Sequence, residues 1–535
     1  MAARSSTDRS VASPALPLRW LATAALCLVS ARVLAAPSAP VDTDAGRVSG
    51  TAGRDPAVAV FRGIPFAAPP VGPLRWKPPQ PPAHWQGVRA ADHFGDTCAQ
   101  PPPPNAGARV AISEDCLTLN VWTAARTAGE KRPVLVWIFG GGFFNGSASA
   151  PNSDGEALSR KGIVVVTTNY RVGPFGFLAH PELSGESPHK VSGNYGLLDM
   201  IACLQWVKRN IAAFGGDPSR VTIAGQSSGG GSVLLLAQSP LASGLFRGVI
   251  SQSGARAIGD PTFVQVRTLA ATEKRGVRFA AAHGAHSLRQ LRELTWQQVL
   301  EGVDMRTADP ADDGDDSLPV YRPAIDGWVL PLPIGETYAR GAQQDVPVMT
   351  GFNLDEMGAE PRPGLTLDGL RQMTRRDYGP MADELLTLYP VTADAQAEQV
   401  QRTFSRDRNR TTSWLWATAW SRHARSPVYT YFWTHAPPGP RGAFHGSEIA
   451  YAFDSLDAME SPWTARDREV AGTVSSYWAN FVRNGDPNGP GLPRWPAFDG
   501  RAEIMVIGDD SGPAPVAGPA KLDFMKRFFA AQKAW

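Results

Sequence analysis

The chain has 535 residues, 43% of them hydrophobic, enough to bury a sizeable core in one large α/β domain or a few average ones. Its formal net charge of +2 is spread without long basic or acidic blocks, which gives no basis for a nucleic-acid or strongly acidic partner. Four cysteines and nine histidines show no metal-ligand spacing.

Arg4, Arg9 and Arg19 precede an apolar run, WLATAALCLVS (20–30), and Val33-Leu-Ala35 supplies the small residues of a cleavage site after Ala35. Residues 1–35 therefore read as a secretory signal peptide, and 36–535 as the mature domain, exported to the periplasm or beyond. The run is short for a membrane span, and no later stretch reaches that length. Export permits disulfides. A Cys98–Cys116 bond closes a modest loop worth about 3 kcal/mol in the loop-entropy model, leaving Cys203 a buried free thiol in the helix-like segment IACLQWV (201–207).

The proline-rich pieces at 78–82 and 101–104 read as surface loops. Apolar runs then recur between helical or looping stretches: PVLVWIF (133–139), GIVVVTT (162–168), VTIA (221–224), VPVMT (346–350) and VYTYF (428–432). Runs apolar on both faces indicate a central, mostly parallel sheet covered by helices on both sides, with ligands expected beyond the strand ends.

Three of those ends carry unusual residues. After VTIA comes GQSSGGGS (225–232), a G-x-S-x-G match that composition alone produces about 0.3–0.4 times in such a chain. Its context is what matters. A strand precedes it, SVLLLAQ (232–238) follows as a buried helix, and Gly225 and Gly229 stand where a side chain would block a tight turn. Ser227 holds the central position. After PVLVWI, the run Phe139-Gly-Gly-Gly-Phe143 offers backbone N–H groups to an oxyanion, and Ser228 a further N–H. After the strand near 348, Asp355 and Glu356 are adjacent carboxylates of which one can face the site. His445 lies in a glycine-flanked loop, GAFHGSEI (442–449), and His180, His423 and His435 are the other histidines weighed as base. The order serine, acid, histidine is that of α/β-hydrolase sheets.

The ordered motifs FRGIPFAAPPVGPLRW (61–76), SEDCLTLNVW (113–122), VWIFGGGFFNG (136–146), NYRVGPFGFL (169–178), GNYGLLDM (193–200), LQWVKRNIAAFGGDPSRVTIAGQSSGGGS (204–232), SQSG (251–254), GFNLDEM (351–357), FHGSEIAYAF (444–453) and WANFVRNGDPN (478–488) resemble the type-B carboxylesterase/cholinesterase family over nearly all of the mature chain. The resemblance implies an α/β-hydrolase fold and a serine ester hydrolase that needs no cofactor or metal and takes a small-molecule ester and water. It implies a triad of Ser227, Glu356 and His445, and an oxyanion hole at the N–H groups of Gly141, Gly142 and Ser228. Ser253 matches a serine that steadies the acid, Cys98 and Cys116 the family's first disulfide, and Arg75 with Glu114 and Arg171 with Asp199 its structural ion pairs. Asp355 is then a structural acceptor.

Departures from that pattern bear on the substrate. Gln226 stands where the family often has glutamate, Ser228 where alanine is common, and Phe139 where relatives carry histidine or tyrosine. No tryptophan lies between Cys98 and Cys116, so acetylcholine is not expected as substrate. Small or medium uncharged esters are the first expectation. Specialised phenolic, toxin or polymer esters come second, and a non-catalytic recognition module third, disfavoured because all three triad members are present. The pocket walls come from variable segments around 101–112, 255–330 and 357–420, which leave the substrate open.

Overall fold

The computed structural model describes residues 40–102, 111–260, 267–303, 321–356 and 358–532. The expected signal peptide and its cleavage site lie outside them, as does part of the 101–104 proline run. The described residues fall in one compact unit, Ala35–Trp535.

Among the described residues the main sheet has eleven strands: β1 (Thr51–Ala52), β2 (Ala59–Pro65), β3 (Thr118–Thr123), β4 (Arg132–Ile138), β5 (Val164–Thr168), β6 (Gly216–Gln226), β7 (Gly248–Gln252), β8 (Val348–Asn353), β9 (Val428–Trp433), β10 (Glu503–Ile507) and β11 (Gly512–Pro515). Their spatial order is β11-β10-β9-β8-β7-β6-β4-β5-β3-β2-β1. From β5 across to β10 every pairing is parallel. The strands at both ends pair antiparallel. The chain passes from β4 outward to β5, then returns to the other side of β4 as β6. That reversal leaves a crevice beyond the carboxyl ends of β4 and β6, where doubly wound sheets place their ligands.

Side chains alternate across a strand, so a fully apolar strand feeds two cores. In β4, Val134, Val136 and Ile138 join the cluster that also holds Trp206 and Leu234. Leu135 and Trp137 join the opposite cluster with Val474 and Trp478. The first face is covered by helices α1 (Tyr195–Asn210) and α2 (Ser228–Leu236), and the second by α4 (Ala465–Asn484). A 28-residue helix, α3 (Asp394–Ser421), contacts β8 and β9.

The expected helix at 232–238 begins earlier, at Ser228, so Gly229, Gly230 and Gly231 form its first turn instead of preceding it. The cause is backbone crowding. A Cβ on Gly229 would lie 2.1 Å from the Ile138 carbonyl oxygen, and one on Gly230 2.6 Å from that of Gln252. Only glycine lets this helix start between the ends of β4 and β7.

Cys98 and Cys116 form a disulfide with their Cα atoms 5.0 Å apart, and Cys203 is a buried thiol whose pKa burial pushes up to about 12. Arg75 clasps Glu114 with two N–H groups. Arg171 does the same to Asp199, at 2.8 and 2.7 Å, and both side chains are buried. Deleting one partner of such a pair strands a charge in the core. Asp199→Ala is therefore expected to lower unfolding free energy by about 3–5 kcal/mol in a denaturant titration, and an unchanged midpoint would contradict a buried, mutually dependent pair.

Candidate active site

Ser227 sits between β6 and α2 with φ 57° and ψ −125°, a left-handed conformation for a residue with a side chain. Such a conformation costs on the order of 1–3 kcal/mol and persists only where neighbours impose it. Here the Ser227 N–H donates to the Gln252 carbonyl at 2.8 Å, and the Ser227 carbonyl accepts the Gly231 N–H at 2.8 Å. A Cβ on Gly225 would meet the Gly229 backbone at 2.4 Å, so strand and helix touch backbone to backbone beneath the serine.

The glycine-rich loop after β4 presses on the same turn. A Cβ on Gly140 would lie 2.5 Å from the Gln226 carbonyl oxygen and 2.9 Å from the Ser227 Cβ. Gly141 and Gly142 have φ of 118° and 66°, which only glycine adopts readily. Among the described residues, no hydrogen bond runs from the N–H of Gly141 or Gly142 to another residue, and Ser228 is the first residue of α2, whose N–H has no acceptor within the helix. Three backbone donors beside a hydroxyl suit a developing negative oxygen. The Tyr170 hydroxyl donates to the Phe139 carbonyl at 2.8 Å and its ring stacks on Phe139 with centroids 4.3 Å apart, which fixes the loop's first residue. The Ser228 hydroxyl is buried and has no hydrogen-bond partner among the described residues.

On the other side, β8 ends at Asn353 and delivers the two carboxylates to different partners. Asp355 accepts from Arg402 at 2.7 Å, from Arg406, and from the Ala443 N–H at 3.0 Å. Burial would raise its pKa, but the two guanidinium groups outweigh that and hold it below the ordinary carboxylate value. Glu356 is fully buried and bonds His445 Nδ1. Its other oxygen accepts from Ser253 Oγ at 2.7 Å and from the Asn353 N–H at 2.6 Å. Burial pushes Glu356 up, yet the imidazole and these donors bring it below its usual value. For His445 the balance runs the other way: burial pulls its pKa down, and the facing Glu356 carboxylate carries it above 6.5.

Gln226 faces the imidazole, with Nε2 3.2 Å from His445 Nε2 and 3.4 Å from Nδ1. A Cβ on Gly446 would lie 3.5 Å from the same amide nitrogen, so the histidine loop rests on the residue that precedes Ser227. The other histidines have different tasks. His180 caps a short helix by accepting the Glu182 N–H, and His435 lies between Asp467 and Asp509, 2.9 Å from each. His423 packs on Gly341.

Glu448 escaped the sequence reasoning. It is fully buried three residues beyond His445, and its oxygens accept from the side-chain amides of Gln252 and Asn353. Burial and the neighbouring Glu356 raise its pKa. A lone acid opening the apolar run IAYAF was the available signal. Among the described residues no group of three or more His, Cys, Asp and Glu side chains is arranged to hold a metal, and no helix is long and apolar enough to cross a membrane.

Residues 37–515 match the carboxylesterase family. The fumonisin B1 esterase of Sphingopyxis macrogoltabida is 37% identical over 531 residues, covering 94% of this chain and 95% of that protein. The para-nitrobenzyl esterase of Bacillus subtilis (strain 168) is 33% identical over 484 residues, covering 88% and 94%. A solved PNB esterase structure superposes with a TM-score of 0.76 at 30% identity, covering 91% of this chain and all of that one. The architecture is thus that of an α/β-hydrolase. The chain belongs to the carboxylesterase family and is a carboxylic-ester hydrolase.

Because the Glu356 charge lifts the His445 pKa, Glu356→Gln is expected to lower it, which an NMR titration of the imidazole carbon-bound protons reads directly. A His445 midpoint unmoved or raised in the variant would contradict the assigned pairing.

Proposed function

We propose that Ser227 is the nucleophile of an acyl-transfer cycle in which His445 is the general base and Glu356 orients it. The observation that carries this reading is the Glu356–His445 pair, its carboxylate fully buried, resting through Gln226 against the strained Ser227 turn. His445 donates its Nδ1 proton to Glu356, so Nε2 is the nitrogen that accepts the Ser227 hydroxyl proton as Oγ attacks the ester carbonyl. The N–H groups of Gly141, Gly142 and Ser228 take the oxyanion, and each such donor is typically worth about 10²–10³ in rate. The imidazolium then protonates the leaving alcohol. Water, deprotonated by the same nitrogen, releases the acid and restores Ser227. Ser253 steadies Glu356, and Asp355, neutralised by two arginines, takes no part.

The substrates of this cycle are small to medium uncharged esters. Gln226 supports that reading, since an amide next to the imidazole supplies hydrogen bonding without the negative charge that would attract a cationic substrate. A second reading, a toxin-type ester, is favoured by the 37% identity to a fumonisin B1 esterase. The two are separated by measuring kcat/KM over an ester panel of graded acyl and alcohol size: a maximum among the smallest members supports the first, and a steady rise towards the largest the second. The Cys98–Cys116 disulfide and the N-terminal arginine-apolar pattern support export.

A fluorophosphonate probe is expected to label the folded protein at Ser227, and Ser227→Ala to lose labelling and at least about 10⁴-fold in turnover. Ser228→Ala should retain most of it, because the backbone donor survives. Labelling at Ser228, or full turnover in Ser227→Ala, would overturn the assignment. Glu356→Gln is expected to cost about 10⁴-fold in kcat, while Asp355→Asn lowers the unfolding midpoint and spares kcat. The wild-type rate should rise with pH through a midpoint above 6.5, since the working form is the neutral imidazole and its pKa is raised.

A further inference from the structure

The loop that carries Gly141 and Gly142 has three glycines in a row, Gly140 to Gly142, and no side chain of its own there to fix it. Glycine is the most conformationally free residue, so a loop that must aim N–H groups at an oxyanion depends on anchors around it. Its start is held by the Tyr170 hydroxyl on the Phe139 carbonyl. Further on, the Gly173 N–H donates to the Phe143 carbonyl at 2.7 Å. The far end, at Gly146, is held by Gln100.

Gln100 is buried, and its side-chain amide meets both halves of one residue's backbone. Oε1 accepts the Gly146 N–H at 2.7 Å, and Nε2 donates to the Gly146 carbonyl at 2.9 Å. This is the two-bond exchange that paired antiparallel residues make, and it fixes orientation as well as position. Gln100 is itself anchored. It lies two residues beyond Cys98, which is bonded to Cys116, and Asn169 ties the carbonyls of Asp96 and Cys116 to the Ala148 N–H.

Gly146 passes this restraint to the glycine loop. Its φ is 130°, and a Cβ there would lie 2.2 Å from the Phe139 ring and 2.6 Å from the Gly140 carbonyl oxygen. One residue earlier, the Asn145 N–H donates to the Gly141 carbonyl at 3.1 Å, and a Cβ on Gly141 would lie 2.0 Å from the Asn145 carbonyl oxygen. The Gly141 carbonyl and the Gly142 N–H belong to one planar, trans peptide, so holding the carbonyl aims the N–H in the opposite direction.

We propose that Gln100 is a positioning residue for ester cleavage, keeping the donors of Gly141 and Gly142 aimed through Gly146 and Asn145. This role rests on the oxyanion hole of the proposed cycle. Because the oxyanion exists only after attack, loss of the clamp raises the barrier and leaves substrate binding nearly intact.

The variants are Gln100→Met, which removes both bonds at nearly constant volume, and Gln100→Ala, each assayed as the full protein. In both, kcat for a p-nitrophenyl ester is expected to fall about 10- to 100-fold, with KM within about twofold of wild type. A trifluoromethyl ketone, whose carbonyl carbon takes Ser227 Oγ to give a tetrahedral oxyanion, should lose affinity by about the factor lost in kcat/KM. The matching carbinol has no carbonyl to attack and should bind wild type and variants equally. A wild type that binds the ketone no more tightly than the carbinol would contradict the oxyanion hole itself, and the role of Gln100 with it. A wild type that prefers the ketone, beside folded variants with unchanged kcat and ketone affinity, would overturn the role of Gln100 alone. Loss of cooperative unfolding in Gln100→Met would also overturn it, by assigning the residue to folding.

Discussion

The site depends on one contact, the close approach of backbone to backbone where β6 turns into α2. Gly225 lies against Gly229, and Gly229 against the carbonyls of Ile138 and Phe139, at separations no side chain tolerates. That approach brings the glycine loop after β4, the strained Ser227 and the end of β7 within hydrogen-bond reach of one another. Ser227 is held by the Gln252 carbonyl on one side and by Gly231 on the other. The strain at Ser227 is thus imposed by the sheet and is recovered from packing elsewhere.

Around this junction the structure sorts three buried carboxylates by their partners. Asp355 faces two arginines of α3 and is neutralised as part of the scaffold. Glu356 faces an imidazole, a hydroxyl and a backbone N–H, which keep it ionised despite full burial. Glu448 is fully buried beside the charge of Glu356, and these two raise its pKa against the side-chain amides of Gln252 and Asn353 that donate to it. The surroundings thus push the pKa values of two acids near one histidine in opposite directions, the pattern that separates acid and base roles in other active sites. Gln226 places a neutral amide beside the same imidazole.

Much of this was legible in the chain, and the reasons are specific. PVLVWIF and GIVVVTT are central strands buried on both faces, so they read as unbroken apolar runs. The glycines of GQSSGGGS are required by contacts a few residues away, so their spacing carries the turn. Asp355 and Glu356 could not be ranked by residue type alone, because the choice rests on Arg402, Arg406 and His445, brought from 47 to 89 residues further along the chain. The edge strands Thr51–Ala52 and Gly512–Pro515 are too short, and the latter too proline-rich, to show a period. Glu448, Gln252 and Asn353 form their network only after the ends of two strands and a loop converge, and no local pattern announces it.

We propose that this backbone junction presents Ser227, and no other serine, to the ester carbonyl carbon. Its most direct measurement is rapid quenching of a p-nitrophenyl ester reaction followed by peptide mass spectrometry of the trapped intermediate. The acyl mass is expected on the peptide containing GQSSGGGS, with fragment ions assigning it to Ser227. An acyl group on Ser228, on a residue outside that turn, or a burst of p-nitrophenol with no acylated peptide would contradict it.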